Sequence, residues 1–169
     1  NGFDIAASLE YRTSDGSKGI IQEYAQTRYD KSFGTHASLA PGPLNLEIDN
    51  LDTRLDIKKD LWQARVGYQR RNHLGVATGP GQALDPVGNI NANRTNADLP
   101  YHNPRLTPYW DITTQLNYIG NESDNYYVMY PPGAFNGTYP NGYIGATGLA
   151  DSALRFDTFA FYAGFQKHL

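Results

Sequence analysis

The chain has 169 residues, with 14 basic and 17 acidic side chains and no cysteine. This length suits one domain with a sizeable core, and a net charge of −3 gives no electrostatic basis for binding nucleic acid. The absence of cysteine from the sequence excludes disulfides and thiolate metal sites, and no apolar run reaches the roughly 18 residues of a transmembrane helix.

Residues 3–12 form the first predicted element. Apolar side chains occupy the odd positions of this stretch and mostly polar side chains occupy the even ones. Alternation of this kind predicts a β-strand, and the polar run 13–16 ends it with turn chemistry. Residues 20–31 carry apolar groups at helical spacing, so a short helix and a strand are equally supported there. The Gly- and Pro-rich stretch 34–43 is predicted to be a loop.

Residues 46–71 are predicted to form a β-hairpin. Alternation over 46–57 resumes over 62–71 after only a short polar break at 58–60. Both strands place apolar side chains on one side and charged side chains on the other. The alternation slips phase near Asn50, which predicts a β-bulge at that position.

Three further strands complete the predicted set of about six. Residues 95–101 form a weaker strand, because Pro100 cannot donate a backbone hydrogen bond. Residues 110–118 alternate well, and residues 153–165 form a strand whose two faces are both apolar, so its outward side stays open.

Long and short connections alternate along the chain. Residues 13–45, 72–94 and 120–152 are predicted to be long connections, and 58–60 and 102–108 short ones. In an antiparallel up-and-down meander, all the long connections then lie at one end. Alternation alone is equally compatible with a soluble sandwich or lipocalin-like barrel. Loops above about 12–15 residues are uncommon in compact domains, whereas outer-membrane barrels pair short periplasmic turns with long extracellular loops.

Five sequence segments carry a family resemblance: FGTHASLAPGP (33–43), DLWQARVGYQRR (60–71), GPGQALDPVG (79–88), MYPPGAF (129–135) and FAFYAGFQKHL (159–169). The most specific feature is the succession of a tryptophan strand, a Gly-rich loop and an ALDP tail. Together these segments resemble the barrel of TonB-dependent outer-membrane receptors. The resemblance covers nearly the whole chain, as an early or middle part of a longer barrel.

The resemblance implies an all-β transmembrane barrel of the 22-stranded type, closed inside by an N-terminal plug. Receptors of this family import scarce nutrients, mostly ferric siderophores, haem or cobalamin, with energy from the TonB system. Residues 1–169 are then a partial barrel domain that lacks the plug domain, the TonB-contacting box and most strands. The implied location is the bacterial outer membrane. The implied partners are its lipid, the plug and TonB system of the parent receptor, and a ferric siderophore or similar ligand.

Patterns of catalytic or metal-binding residues are absent from the sequence. The four histidines lie far apart and none has the spacing of a zinc ligand pair. No serine lies in a nucleophile-elbow context, and the Gly-rich stretch after residue 75 is followed neither by a helix pattern nor by Gly-Lys-Ser/Thr. The sequence therefore predicts no enzyme, no metal site and no cofactor.

Aromatic residues crowd the longest predicted connection, 120–152. These are Tyr126, Tyr127, Tyr130, Phe135, Tyr139 and Tyr143. A rim that captures a ligand from outside and a loop that packs on itself are equally supported. Trp62, Tyr109 and Trp110 lie beside the short turns, where an outer-membrane barrel places its aromatic girdle; ordinary core aromatics are the alternative.

Two hypotheses of different classes follow. The first is a barrel segment of a nutrient receptor, with Ile5, Leu9 and Val66 among the residues facing lipid, and with Arg54 and Arg65 among those lining the lumen. The second is a soluble extracellular all-β module that binds glycans or peptides through its Tyr-rich loop.

Overall fold

The computed structural model describes residues 2–78, 84–147 and 154–167. Within them the chain forms one seven-stranded antiparallel sheet, a separate two-stranded ladder and two short helices. The elements are β1 (Asp4–Ser14), β2 (Ile20–Ile21), α1 (Ala25–Phe33), β3 (Gly42–Pro43), β4 (Ile48–Lys59), β5 (Trp62–Gly75), β6 (Asn89–Thr107), β7 (Trp110–Tyr130), α2 (Ala134–Gly137), β8 (Tyr143–Thr147) and β9 (Leu154–Lys167).

The main sheet is an up-and-down meander in the order β1, β4, β5, β6 and β7. Two strands then share the far side of β7: β9 pairs with it from Trp110 to Ser123, and β8 pairs with it from Asn125 to Tyr130. The sheet is therefore six strands wide. This arrangement confirms the predicted all-β, antiparallel meander.

The short turns and the long connections lie at opposite ends of the sheet. β4 passes to β5 through Asp60 and Leu61, and β6 passes to β7 through Pro108 and Tyr109. Asp60 has a φ of 52°, in the left-handed region that Asp tolerates better than most residues. The predicted asymmetry of the two ends is confirmed.

The strands extend further toward the loop end than alternation predicted. Residues 76–88 join β5 to β6, rather than 72–94. β7 continues to Tyr130 and β8 follows it, so much of the predicted loop 120–152 is strand. The prediction was wrong because these stretches are rich in Asn, Gly and Asp, which have low strand propensity. Backbone pairing along the whole length of β6 and β7 overrides that preference.

β6 runs through the predicted short connection 102–108 and contains Pro100 in its interior. Pro100 pairs with Gln115 of β7, whereas the pairing with β5 passes from Tyr101 directly to Asp98. Proline has no N–H group, so the ladder toward β5 is interrupted at this position without a change of register. A longer strand with one local gap replaces the weak strand that was predicted.

The predicted β-bulge at Asn50 was wrong, because β4 pairs in unbroken register with both β1 and β5 around this residue. Leu46 lies before β4, so the slip in phase marks the start of the strand. The register between β5 and β6 shifts instead between Arg71 and Leu74, where His73 has a φ of 48°.

The segment for which helix and strand were equally supported contains both. β2 pairs with β3 as a two-residue ladder, and α1 follows four residues later. The side chain of Thr27 accepts a hydrogen bond from the backbone N–H of Tyr24 (3.3 Å) at the start of α1. The helix ends at Gly34, whose φ of 67° is readily adopted by glycine.

The strand register aligns the apolar side chains of all six strand positions on one side of the sheet, which we call the apolar face. Successive partners across one row are Ala7, Leu55, Val66, Ala97, Tyr118 and Phe159. The register places Phe161 and Phe165 of β9 on the apolar face, since they pair with Leu116 and Ile112. The face lies on the surface: Leu9 is 73% exposed.

The opposite side, which we call the polar face, carries charged and amide side chains that pair between strands. Arg65 Nε donates to Asp98 Oδ1 (2.6 Å). Asp52 lies 2.8 Å from Arg71 Nη1 and also accepts a hydrogen bond from Gln69. Across β4 to β7 the sheet thus separates an apolar side from a charge-paired side. β9 is apolar on both faces, as predicted, because Phe156 and Tyr162 lie exposed on the polar face.

Candidate functional site

Among the described residues, the buried apolar core lies at the loop end rather than in the sheet. Tyr24 and Leu84 form it, with Ile21 and Leu44 packed against them. Leu84 fits there because Gly42 has no side chain; a Cβ on Gly42 would lie 2.7 Å from Leu84 Cδ2. This core joins the connection between β1 and β4 to the connection between β5 and β6.

Asp85 joins the same loop to β7. Its side chain is fully buried. Oδ1 accepts hydrogen bonds from the N–H groups of Val87 (3.1 Å) and Gly88 (2.6 Å), and Oδ2 accepts one from the N–H of Val128 (2.6 Å). A buried carboxylate needs such partners to offset its loss of solvent. We call the resulting assembly of residues 15–47, 76–78, 84–88 and 131–142 the loop cap.

Asp30 of α1 holds a second part of the loop cap together. Its buried carboxylate accepts hydrogen bonds from Gln26 Nε2 (3.1 Å), Thr35 Oγ1 (2.6 Å) and the N–H of Ser38 (2.6 Å). Burial by itself raises the pKa of Asp30, but these bonds and one from the N–H of Ala37 outweigh burial. They lower the pKa from 3.8 to about 2. The charged carboxylate therefore fastens α1 to the loop that follows it.

Five rings form an aromatic cluster on the loop cap and the adjoining ends of β7 and β8. Tyr130 lies at its centre, with its ring centroid 4.8 Å from those of both Phe135 and Tyr139 and 6.4 Å from that of Tyr143. Tyr29 of α1 contacts Phe135 at 5.2 Å. Phe135 has a left-handed φ of 52°, which costs a bulky residue about 1–2 kcal/mol. Contacts of its ring with three tyrosines offset that cost.

The structure brings together four of the six aromatic residues predicted as a ligand rim. Tyr130, Phe135, Tyr139 and Tyr143 belong to the aromatic cluster, and their mutual contacts agree with a loop that packs on itself. Tyr126 and Tyr127 lie on β7, in none of the ring contacts among the described residues. Tyr143 is 50% exposed, and Tyr126 is also exposed, so part of the predicted rim faces solvent.

Sequence reasoning missed Leu84, Asp85, Asp30 and Tyr29 of the loop cap. Leu84 and Asp85 belong to the ALDP stretch, where Asp before Pro and Gly is a turn signal that could have been noted. Tyr29 carried no comparable signal. Its contact with Phe135 joins two connections that are far apart in sequence.

The aromatic residues predicted beside the short turns lie on the surface. Tyr109 is 66% exposed, and Trp62 and Trp110 are also exposed. Trp62 contacts Tyr101 of β6 with ring centroids 4.6 Å apart. These rings are therefore not core aromatics, which was the alternative to an aromatic girdle.

Neither a metal centre nor a transmembrane helix is found in residues 2–78, 84–147 and 154–167. No group of three or more His, Asp or Glu side chains there could hold a metal ion. No helix in these ranges has the length and apolar character to cross a membrane. No known protein family, curated protein or solved structure matches the chain.

Proposed function

We propose that the chain is a wall segment of a TonB-dependent outer-membrane receptor, in a barrel of the 22-stranded type. In this proposal residues 1–169 form part of the barrel domain, and other parts of the parent receptor supply the plug and remaining strands. The receptor imports a ferric siderophore or similar scarce nutrient with energy from the TonB system. The observation that carries the proposal is the continuous, exposed apolar face.

The extent of the apolar face matches a membrane-crossing strand. On β7 it runs from Trp110 to Tyr118, and a transmembrane strand takes about 9–11 residues. At the short-turn end the face is bordered by Trp62 and Trp110, as in an aromatic girdle. Toward the loop cap it gives way to a polar row. That row contains Arg70, Asn93, Glu122 and Arg155.

The polar face suits the interior of such a barrel. Barrel lumens are polar, while the outward band is apolar. Asp56 accepts two hydrogen bonds from Gln63 (2.8 and 2.7 Å), and Arg65 pairs with Asp98. A soluble sandwich would instead bury an apolar face against a second sheet. In the described residues no second layer covers this face, and Leu116 is 54% exposed.

The loop cap is the ligand-contacting end in this proposal. It contains the long connections, which are extracellular in outer-membrane barrels. The proposed contact residues are the six predicted aromatic residues: Tyr126, Tyr127, Tyr130, Phe135, Tyr139 and Tyr143. The exposed rings of Tyr126 and Tyr143 support direct contact, and the rings of Tyr130 and Tyr139 pack against Tyr143.

Spin labels attached one at a time to the chain in lipid bilayers test the membrane assignment. Labels at Val66 and Leu116 should relax with oxygen and be shielded from a water-soluble nickel reagent, because both lie on the apolar face. Labels at Gln63 and Asn117, the matched controls on the polar face of the same strands, should respond less to oxygen. Shielding of the apolar-face labels from both reagents would contradict the proposal. It would favour the soluble glycan- or peptide-binding module, with that face covered by protein.

A further inference from the structure

A groove of about 690 Å³ crosses the polar face of the sheet. Its floor is at Gly67 of β5, which lies in one row between Arg54 of β4 and Asn96 of β6. A Cβ on Gly67 would lie 2.6 Å from Asn96 Oδ1. Asn96 therefore rests over the glycine, and the groove exists because this row lacks a central side chain.

Two arginines of the groove form no salt bridge with a described residue. Arg54 and Arg94 are exposed, and neither forms a salt bridge or side-chain hydrogen bond with any described residue. Acids on the same face bind other residues. Asp98 pairs with Arg65 at 2.6 Å, Asp52 pairs with Arg71 at 2.8 Å, and Asp56 accepts hydrogen bonds from Gln63. The pKa of Asp52 is lowered mainly by Arg71 and also by the charge of Arg54.

The amide of Asn96 adds an uncharged donor beside Arg94 and in the row of Arg54. Its side chain makes no hydrogen bond with a described residue, although it is half-buried over Gly67. Arg54 and Arg94 stand on strands two positions apart, about 10 Å across the sheet. Arg94 pairs with Gln69, so it lies two residues along β6 from Asn96, the residue in the row of Arg54. Arginine side chains are long enough to converge over a gap of this width, and no side chain of Gly67 separates them.

We propose that Arg54, Arg94 and Asn96 form a carboxylate-binding site over Gly67. Guanidinium groups bind carboxylates through paired, charge-assisted hydrogen bonds, and an amide N–H₂ can donate one more. Binding breaks no existing salt bridge, because neither arginine forms one with a described residue. The carboxylate belongs either to a small molecule or to an acidic side chain of a polypeptide on the polar side. All three residues lie on the polar face, so the proposed site does not require that the apolar face contact lipid.

Two probes distinguish these sources in the intact 169-residue chain, folded in detergent micelles. The arginine Nε–H resonances are followed by NMR during titration with succinate, and separately with a hexaglutamate peptide. Saturable shifts of Arg54 and Arg94 with succinate assign the site to small carboxylates. Saturation with hexaglutamate alone, while hexaglutamine has no effect, assigns it to an acidic polypeptide segment. Either result supports the site, and saturation with neither probe overturns it.

Matched double variants separate a specific site from the general charge of the face. Arg54→Gln with Arg94→Gln should weaken binding of the active probe at least about tenfold. Arg12→Gln with Lys58→Gln removes the same charge from the same face outside the groove. This control pair should retain the affinity within about twofold.

Equal losses in the two double variants would overturn the proposal in favour of non-specific attraction. Gly67→Ala provides an independent check, because its methyl group occupies the groove floor while both cations remain. It should also weaken binding, and unchanged affinity would contradict the placement of the site. None of these readouts depends on contact with lipid, so they succeed or fail independently of the spin-label experiment.

Discussion

The loop cap and the sheet differ in what surrounds their side chains. In the loop cap, Leu84 is 1% exposed and Asp85 is fully buried, and both contact segments distant in sequence. In the sheet, Leu9 is 73% exposed and Phe159 is 77% exposed. The loop cap therefore contains its own packed core, whereas the sheet is a single layer held together by backbone pairing. Its apolar face can bury surface only against something outside the described residues.

The carboxylates of the two regions also have different kinds of partners. Asp30 and Asp85 in the loop cap are held largely by N–H groups of their own connections. Asp52 and Asp98 on the polar face are held by arginines of neighbouring strands. Charge on the sheet is therefore shared between strands, and Arg54, which forms no salt bridge with a described residue, departs from this arrangement.

Truncation of the core residue Leu84 should produce the largest difference between the loop cap and the sheet. Leu84→Ala should lower the free energy of opening of the loop cap by about 2–5 kcal/mol, because it leaves a cavity in a closed core. Hydrogen exchange of the N–H groups of Val87, Gly88 and Val128 measures this opening. Leu9→Ala, the same change on the exposed sheet, should alter their exchange by less than about 0.5 kcal/mol. Equal effects would show that the two regions form one cooperative core.

Acid should loosen the loop cap through Asp30. The pKa of Asp30 is lowered from 3.8 to about 2 in the folded chain. The charged carboxylate therefore stabilises the loop cap fully at pH values above its unfolded pKa. This contribution, about 2 kcal/mol, is lost as the pH falls from about 4 to 2. Urea titrations followed by near-ultraviolet circular dichroism of the tyrosines should show this decrease. The Asp30→Asn variant should lack this part of the pH dependence; the same pH dependence in both proteins would exclude Asp30 as its source.

Removal of exposed rings should have the smallest effect and tests the ligand-contacting end. If the chain belongs to the proposed receptor, Tyr126→Ala with Tyr143→Ala in that receptor should weaken uptake of iron about tenfold in apparent affinity, near 1.4 kcal/mol. Uptake of radioactive iron from hydroxamate and catecholate siderophores provides the measurement. Tyr11→Ala removes an exposed tyrosine from β1 and should leave uptake unchanged. Unaltered uptake in the double variant would leave only the self-packing role for this aromatic region.

Alternation in the sequence was sufficient for the strands near the short turns and for the assignment of their faces. Over residues 3–12, 62–71 and 110–118, successive side chains point to opposite sides of a strand, so the apolar and charged sides are a local property of the chain. The position of the long connections followed from antiparallel order alone. Of the six aromatic rim residues, sequence reasoning identified the four that join the cluster, because their crowding is visible within one stretch.

Tertiary structure alone decided the features that depend on distant partners. The second half of β7 is a strand because β6, β8 and β9 pair with it, although its Asn, Gly and Asp residues disfavour that conformation. The burial of Leu84, the contact of Tyr29 with Phe135 and the groove over Gly67 each join segments that are separate in sequence. Periodicity in the sequence indicates which side of its own strand a residue faces. It does not indicate which residues of other segments contact that side.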